Sequence, residues 1–124
     1  MVVNNNGAIT SGSGVNVTGT AGAGSQAVVV KNGGVISTTS NAPVSVTADS
    51  VDIVSPGAIN SGTGTTTIRT RTAGTLIDLG GPAVLSGNPL TLGLTADELN
   101  QITAGTLVVG DISSGTATVS APSP

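Results

Sequence analysis

The side chains able to do acid–base or charge chemistry are few, and most fall in one stretch: Asp49, Asp52, Arg69, Arg71 and Asp78. Asp52 and Asp78 hold the same place in two similar segments, Val51-Asp-Ile53 and Ile77-Asp-Leu79. On neighbouring layers of a stack these carboxylates would face the same way and could share a Ca²⁺, a hard cation that takes oxygen ligands. Ca²⁺ needs at least about six oxygens, so the simpler expectation is two solvated acids, screened by salt or paired with Arg69 and Arg71. No metal and no cofactor is therefore expected. A polysaccharide-cleaving site would use Asp49, Asp52 or Asp78 as acid or base and Arg69 or Arg71 as charge stabiliser. The chain has no aromatic platform for a sugar and no His or Tyr to shuttle a proton, so it reads as a non-enzyme.

Three other patterns carry less. The threonines at 65–67, 70 and 72 invite an ice-binding reading, which requires a Thr-x-Thr array on every layer. The equivalent segments are Val15-Asn-Val17 and Val44-Ser-Val46, so one layer alone carries it. Asn16-Val-Thr18 is a glycosylation sequon, common by chance and placed in mid-strand. No phosphate-cradling glycine loop followed by lysine and no Gly-Gly-x-Gly-x-Asp nonapeptide occurs.

The elements that position these residues are organised around Val51-Asp-Ile-Val-Ser-Pro-Gly-Ala-Ile59, two short apolar runs joined at a corner. Similar patterns are Met1-Val-Val-Asn-Asn-Asn-Gly-Ala-Ile9, Val28-Val-Val-Lys-Asn-Gly-Gly-Val-Ile36 and Ile77-Asp-Leu-Gly-Gly-Pro-Ala-Val-Leu85. The closing aliphatic recurs at 9, 36, 59 and 85, at intervals of 27, 23 and 26 residues. A period of this length signals a stacked repeat. The fold class expected is all-β: a right-handed parallel β-helix (β-solenoid) of four to five turns, forming a single domain over 1–120 with an extended Pro-rich tail at 121–124. The right hand follows from the preference of parallel crossovers. Val30, Ile36, Ile53, Ile59, Leu79 and Leu85 are the expected inward column.

Composition agrees with that reading. Among 124 residues there is no Phe, Tyr, Trp, Cys or His, and 19 are Gly. A core without aromatics has to be built from many close-packed layers of Val, Ile, Leu, Ala and Thr, which suit a pleated surface. Charged residues are 7% and the net charge is −3, while 37% of residues are apolar, against the usual signature of disorder. Three basic residues and no stacking side chain exclude a nucleic-acid surface. Without cysteine there are no disulfides or thiolate metal sites. No apolar run approaches a membrane span of about 20 residues, and the segment after Met1 lacks the features of a signal peptide.

Along the chain, strands are expected at 8–11 and 15–18, at 27–30, 35–38 and 44–47, and at 65–72 and 90–94. If Ile68 points inward, Thr66, Thr70 and Thr72 do too, with Arg69 and Arg71 outward. Thr95-Ala-Asp-Glu98 reads as a capping box, with Leu94 and Leu99 placed for a hydrophobic staple. Thr95 and Glu98 would thus cap one short helix near 96–103, stopped by Gly105.

Leu92-Gly-Leu-Thr-Ala-Asp-Glu-Leu-Asn-Gln-Ile-Thr-Ala-Gly-Thr-Leu-Val-Val-Gly110, with Gly57–Arg69 and Ala73–Gly80 before it, resembles segments of bacterial filamentous-haemagglutinin-like exoproteins and autotransporter-type passengers. The resemblance covers residues 50–120 well and the first 50 more loosely. It implies a right-handed parallel β-helix, secreted or on the bacterial cell surface, in an adhesin stalk, surface fibre or matrix filament. The function expected is structural. The open ends of a stack have unpaired edges, so the segment would stack head-to-tail on copies of itself or continue a longer rod. The alternative is an adhesin module binding a glycan or host protein on one solenoid face. Partners are then the chain itself or a host or neighbouring-cell surface, with no nucleic acid and no membrane insertion.

Overall fold

Short alternations of β-branched and small polar residues make strands, and the Gly- and Asn-rich segments between them make corners. The computed structural model describes residues 2–3, 7–20, 24–81, 83–85 and 90–119. The expected tail at 121–124 and the first corner at 4–6 lie outside them. The strands are β1 (Val2–Val3), β2 (Ala8–Ser11), β3 (Val15–Thr18), β4 (Val28–Val30), β5 (Val35–Thr38), β6 (Val44–Thr47), β7 (Val51–Ile53), β8 (Ala58–Asn60) and β9 (Thr65–Arg69). There follow β10 (Leu76–Leu79), β11 (Thr91–Leu94), the helix α1 (Ala96–Asn100), β12 (Ile102–Thr103), β13 (Thr106–Val109) and β14 (Ala117–Val119).

The chain is all-β with one short helix, and every strand ladder among the described residues is parallel. Three sheets have the orders β1-β4-β7, β2-β5-β8-β12 and β3-β6-β9-β13. Up to β9, each strand therefore pairs with the strand three further along. The register puts like on like. Ile9, Ile36, Ile59 and Ile102 are direct partners in turn, as are Val17, Val46, Ile68 and Val109. Val3, Val30 and Ile53 form a third file. Val30, Ile36, Ile53 and Ile59 lie buried in one aliphatic cluster, which takes the place of an aromatic core.

Ser50, Ser61 and Thr66, buried in this stack, are paired within it, as polar groups generally are where water is excluded, whereas Gln26 Oε1 is buried without a hydrogen-bond partner among the described residues. Ser50 Oγ accepts from Ala27 N at 2.7 Å. Thr66 Oγ1 donates to Ser61 Oγ at 2.8 Å, and Ser61 donates on to the Gly64 carbonyl. Gly57 opens the corner before β8, where a Cβ would lie 2.6 Å from the Val30 carbonyl of the preceding layer. Layers this close leave no room for a side chain at that position.

The regular order breaks after β9. β10 does not pair with β7; it pairs with β11 on one side and β14 on the other. β11 packs against β7, although no strand ladder joins them. A strand from later in the chain has entered between two consecutive repeats. Three expectations change as a result. Asp52 and Asp78 are not neighbours, because Asp78 pairs with Gly93 of β11. Leu85 does not follow Ile59 in its column; Ile102 takes that place. Leu85 is half-buried on the return segment, next to an antiparallel bridge between Val84 and Thr91. Leu79 is only half-buried and packs at the margin of the core, since it lies beyond β11.

Further differences are local. The helix ends at Asn100 rather than 103, because Ile102 and Thr103 are drawn into a ladder with β8. Its C-cap is Gln101 in right-handed geometry. Gly105 instead passes against the Thr63 carbonyl. The strand expected over 65–72 stops at Arg69, and Thr72 is exposed where the chain turns.

Truncating a column residue leaves a cavity between fixed layers. Ile36→Ala or Ile59→Ala should lower unfolding stability by about 2–5 kcal/mol. Ile9→Ala, at a half-buried end of the same column, should cost clearly less. Urea unfolding followed by far-ultraviolet circular dichroism measures both, and equal losses would contradict the column.

Candidate functional site

The entry of β11 places α1 at the corner that Val54-Ser-Pro-Gly57 occupies one layer earlier. Between the two lies an open groove of about 570 Å³, lined by Asp52, Ile53, Val54, Thr95, Asp97 and Glu98 among others. Glu98 lines it. Oε1 accepts from Thr95 N and from Thr95 Oγ1, each at 3.1 Å, and Thr95 Oγ1 accepts in return from Glu98 N at 3.3 Å. This is a complete capping box. The other oxygen, Oε2, accepts from Ile53 N at 3.0 Å. That amide belongs to the edge of β7 that no strand ladder covers, so a side chain stands where a strand carbonyl would otherwise be.

Burial pushes the Glu98 carboxyl above its ordinary value. Hydrogen bonds from Thr95 and Ile53 oppose the shift, and the Asp52 charge adds to it. No basic side chain lines this groove. Among the described residues no group of three or more His, Cys, Asp or Glu is arranged to hold a metal ion, and with Asp52 and Asp78 separated by β11 the shared Ca²⁺ site has no geometry to rest on.

Asp49 has a different role. One oxygen accepts from Arg71 N and Thr72 N, both at 2.8 Å, and from Thr75 Oγ1 at 3.1 Å. The other accepts from Thr72 Oγ1. The carboxylate thus closes the turn that leads from β9 to β10. Partial burial pushes its pKa up, but the bonds from Thr72, Arg71 and Thr75 together outweigh this and hold it below the ordinary aspartate value. A carboxylate so occupied is a structural clasp, with little freedom to act as a base. Arg69 lies along the outer face of the third sheet, donating from Nε to Thr47 Oγ1 at 3.2 Å and from Nη2 to Ser45 Oγ at 2.9 Å. Arg71 is exposed. The structure therefore disperses the acids and bases of a possible catalytic set over separate tasks.

The second surface of note is one end of the stack. In the first layer the inward valines are covered, with Val15 and Val17 at 8% and 6% exposure. In the last, Leu107 is 38% and Val108 41% exposed, Val119 69%, and Ile112 wholly exposed. Leu107 is the column partner of the buried Thr66, so its exposure marks a core left open. β12, β13 and β14 are edge strands on this side.

Thr95 and Glu98 were readable from their three-residue spacing. The bond from Glu98 to Ile53 was not, since no local pattern links residues so distant in sequence. The open end had no signal beyond the general rule that repeats expose their last layer.

The two shifted carboxyls act in opposite senses. Asp49, lowered on folding, contributes stability that is present above the ordinary aspartate pKa and lost as pH falls through its lowered value. Glu98, raised on folding, contributes stability that is present below the ordinary glutamate pKa and lost as pH rises through its raised value. In urea midpoints measured across an acid-to-neutral series, Asp49→Asn should remove the loss at low pH. Glu98→Gln should flatten the decline on going from mildly acidic to neutral pH. Unchanged profiles in both variants would refute the assignment.

No protein-family model, no curated protein and no solved structure matches this chain.

Proposed function

We propose that the chain is a structural segment of a right-handed parallel β-solenoid, built to be extended at its open end by further layers. The open end carries the reading. Leu107, Val108, Ile112 and Val119 are exposed there beside three strand edges, while Val3, Val15 and Val17 of the first layer are buried. An unpaired edge with exposed apolar residues is a template for more strand. The added layers come from the same polypeptide, as in a long rod, or from a second copy, a heterologous contact that propagates without closing. The parallel ladders and like-on-like columns support the solenoid, and the right-hand preference of parallel crossovers supports its hand. The resemblance of residues 50–120 to filamentous-haemagglutinin-like exoproteins supports a secreted or bacterial cell-surface setting, as an adhesin stalk, surface fibre or matrix filament.

A second reading, an adhesin module for a glycan or host protein, draws on the groove beside α1. It predicts monomeric rods that bind cells and lose that binding when Asp97→Asn and Asn100→Ala alter the groove wall.

Electron microscopy with analytical ultracentrifugation tests the favoured reading. The purified chain is expected to form end-to-end oligomers or filaments, and Leu107→Lys with Val119→Lys should return it to monomers while preserving its circular dichroism. Association that is unaffected by both substitutions would place the contact elsewhere and sink the end-contact reading.

A further inference from the structure

The sequence carries a register that the structure does not use. Aligned position by position, Val51-Asp-Ile-Val-Ser-Pro-Gly-Ala-Ile59 and Ile77-Asp-Leu-Gly-Gly-Pro-Ala-Val-Leu85 match at Val51 and Ile77, Asp52 and Asp78, Ile53 and Leu79, Pro56 and Pro82, Ala58 and Val84, and Ile59 and Leu85. By this match β10 is the next repeat after β7 and should pair with it directly. Val51 would meet Ile77, Asp52 would meet Asp78, and Leu85 would come over Ile59. In the structure β11 stands in that place instead.

Two observations show how β11 is held there. It has a full ladder with β10, from Leu76–Thr91 to Leu79–Leu94. Toward β7 it has no ladder, and the free Ile53 amide of β7 is taken by the Glu98 side chain. The inserted strand is thus bonded along its length to β10, while on its other edge, among the described residues, only Thr91 is tied, by two backbone hydrogen bonds exchanged with Val84. Its removal would break the β10 ladder, the two Val84–Thr91 bonds and the Glu98 bond, and the β7–β10 ladder would replace them.

We propose that β11 and α1 form an exchangeable insert, and that β10 competes with β11 for the open edge of β7. In the inserted state Gly93 separates Asp78 from Asp52. In the direct state those two carboxylates are adjacent on one outer face, with Asp97 and Glu98 withdrawn. Like charges directly opposite are unfavourable, so ionisation of Asp52 and Asp78 favours the inserted state. The direct state also frees β12 from Ile59 and lengthens the regular spiral, so the exchange changes the surface that the molecule offers at its open end.

The chain has no cysteine, so introduced thiols report register cleanly. Asp52→Cys with Asp78→Cys is oxidised in a glutathione buffer, two protein thiols reducing one glutathione disulfide to two glutathione thiols. The expected result is an intramolecular disulfide formed several-fold faster than in Asp52→Cys with Thr118→Cys, whose second site is one strand further out on β14. Val29→Cys with Asp52→Cys, direct partners in the β4–β7 ladder, reports that the fold is intact and sets the upper rate. If the Asp52–Asp78 pair closes no faster than the Asp52–Thr118 pair, the proposal is overturned. Amide hydrogen exchange on the unmodified chain gives a second reading that needs no variant. Amides of Thr91–Leu94 should exchange several-fold faster than those of β4 and β10, and equal protection would also overturn it.

Discussion

Backbone hydrogen bonds that run between layers, not within them, govern this molecule. A parallel ladder fixes neighbouring strands about 4.8 Å apart. At that spacing each side chain has one immediate neighbour above and one below. Only branched aliphatics and small hydroxyl residues fit such a file without voids, which explains a core made from Val, Ile, Leu and Thr with no ring in it. The same spacing forces glycine where one corner passes over another, as Gly57 does over the Val30 carbonyl. Composition, corner chemistry and column order are consequences of one geometric rule.

Where the ladder is interrupted, side chains take over its work. Glu98 satisfies a β7 amide that lacks a strand partner, and Asp49 gathers the amides and hydroxyls of the turn between β9 and β10. Both carboxylates sit at departures from the regular repeat. This places the hydrogen bonding of these two carboxylates in architecture.

Much of the first three layers was legible in the sequence. Ile9, Ile36 and Ile59 announce their column through regular intervals, and Val15-Asn-Val17 and Val44-Ser-Val46 announce theirs by alternation. The fourth layer was misread for a physical reason. Leu85 stands at the right interval after Ile59, whereas the true partner Ile102 follows only after an inserted strand and a helix. Periodicity reports which residues are equivalent, but it cannot report that a later segment has taken a vacant edge. The capping box was legible because its partners are three residues apart. Its second function was hidden because Ile53 and Glu98 meet only once the layers are stacked.

The gap in strand pairing between β7 and β11 also bears on how such a body carries load. Tension along the stack pulls straight on the interlayer bonds, so each level resists with whatever spans it. The two interfaces beneath this gap are each tied by three ladders. At the gap, continuous ladders cross on two sides, β8 to β12 and β9 to β13, and the third is bridged by one carboxylate. Under stretch this level yields before the two beneath it, parting a lower block of three intact levels from an upper block that keeps its helix.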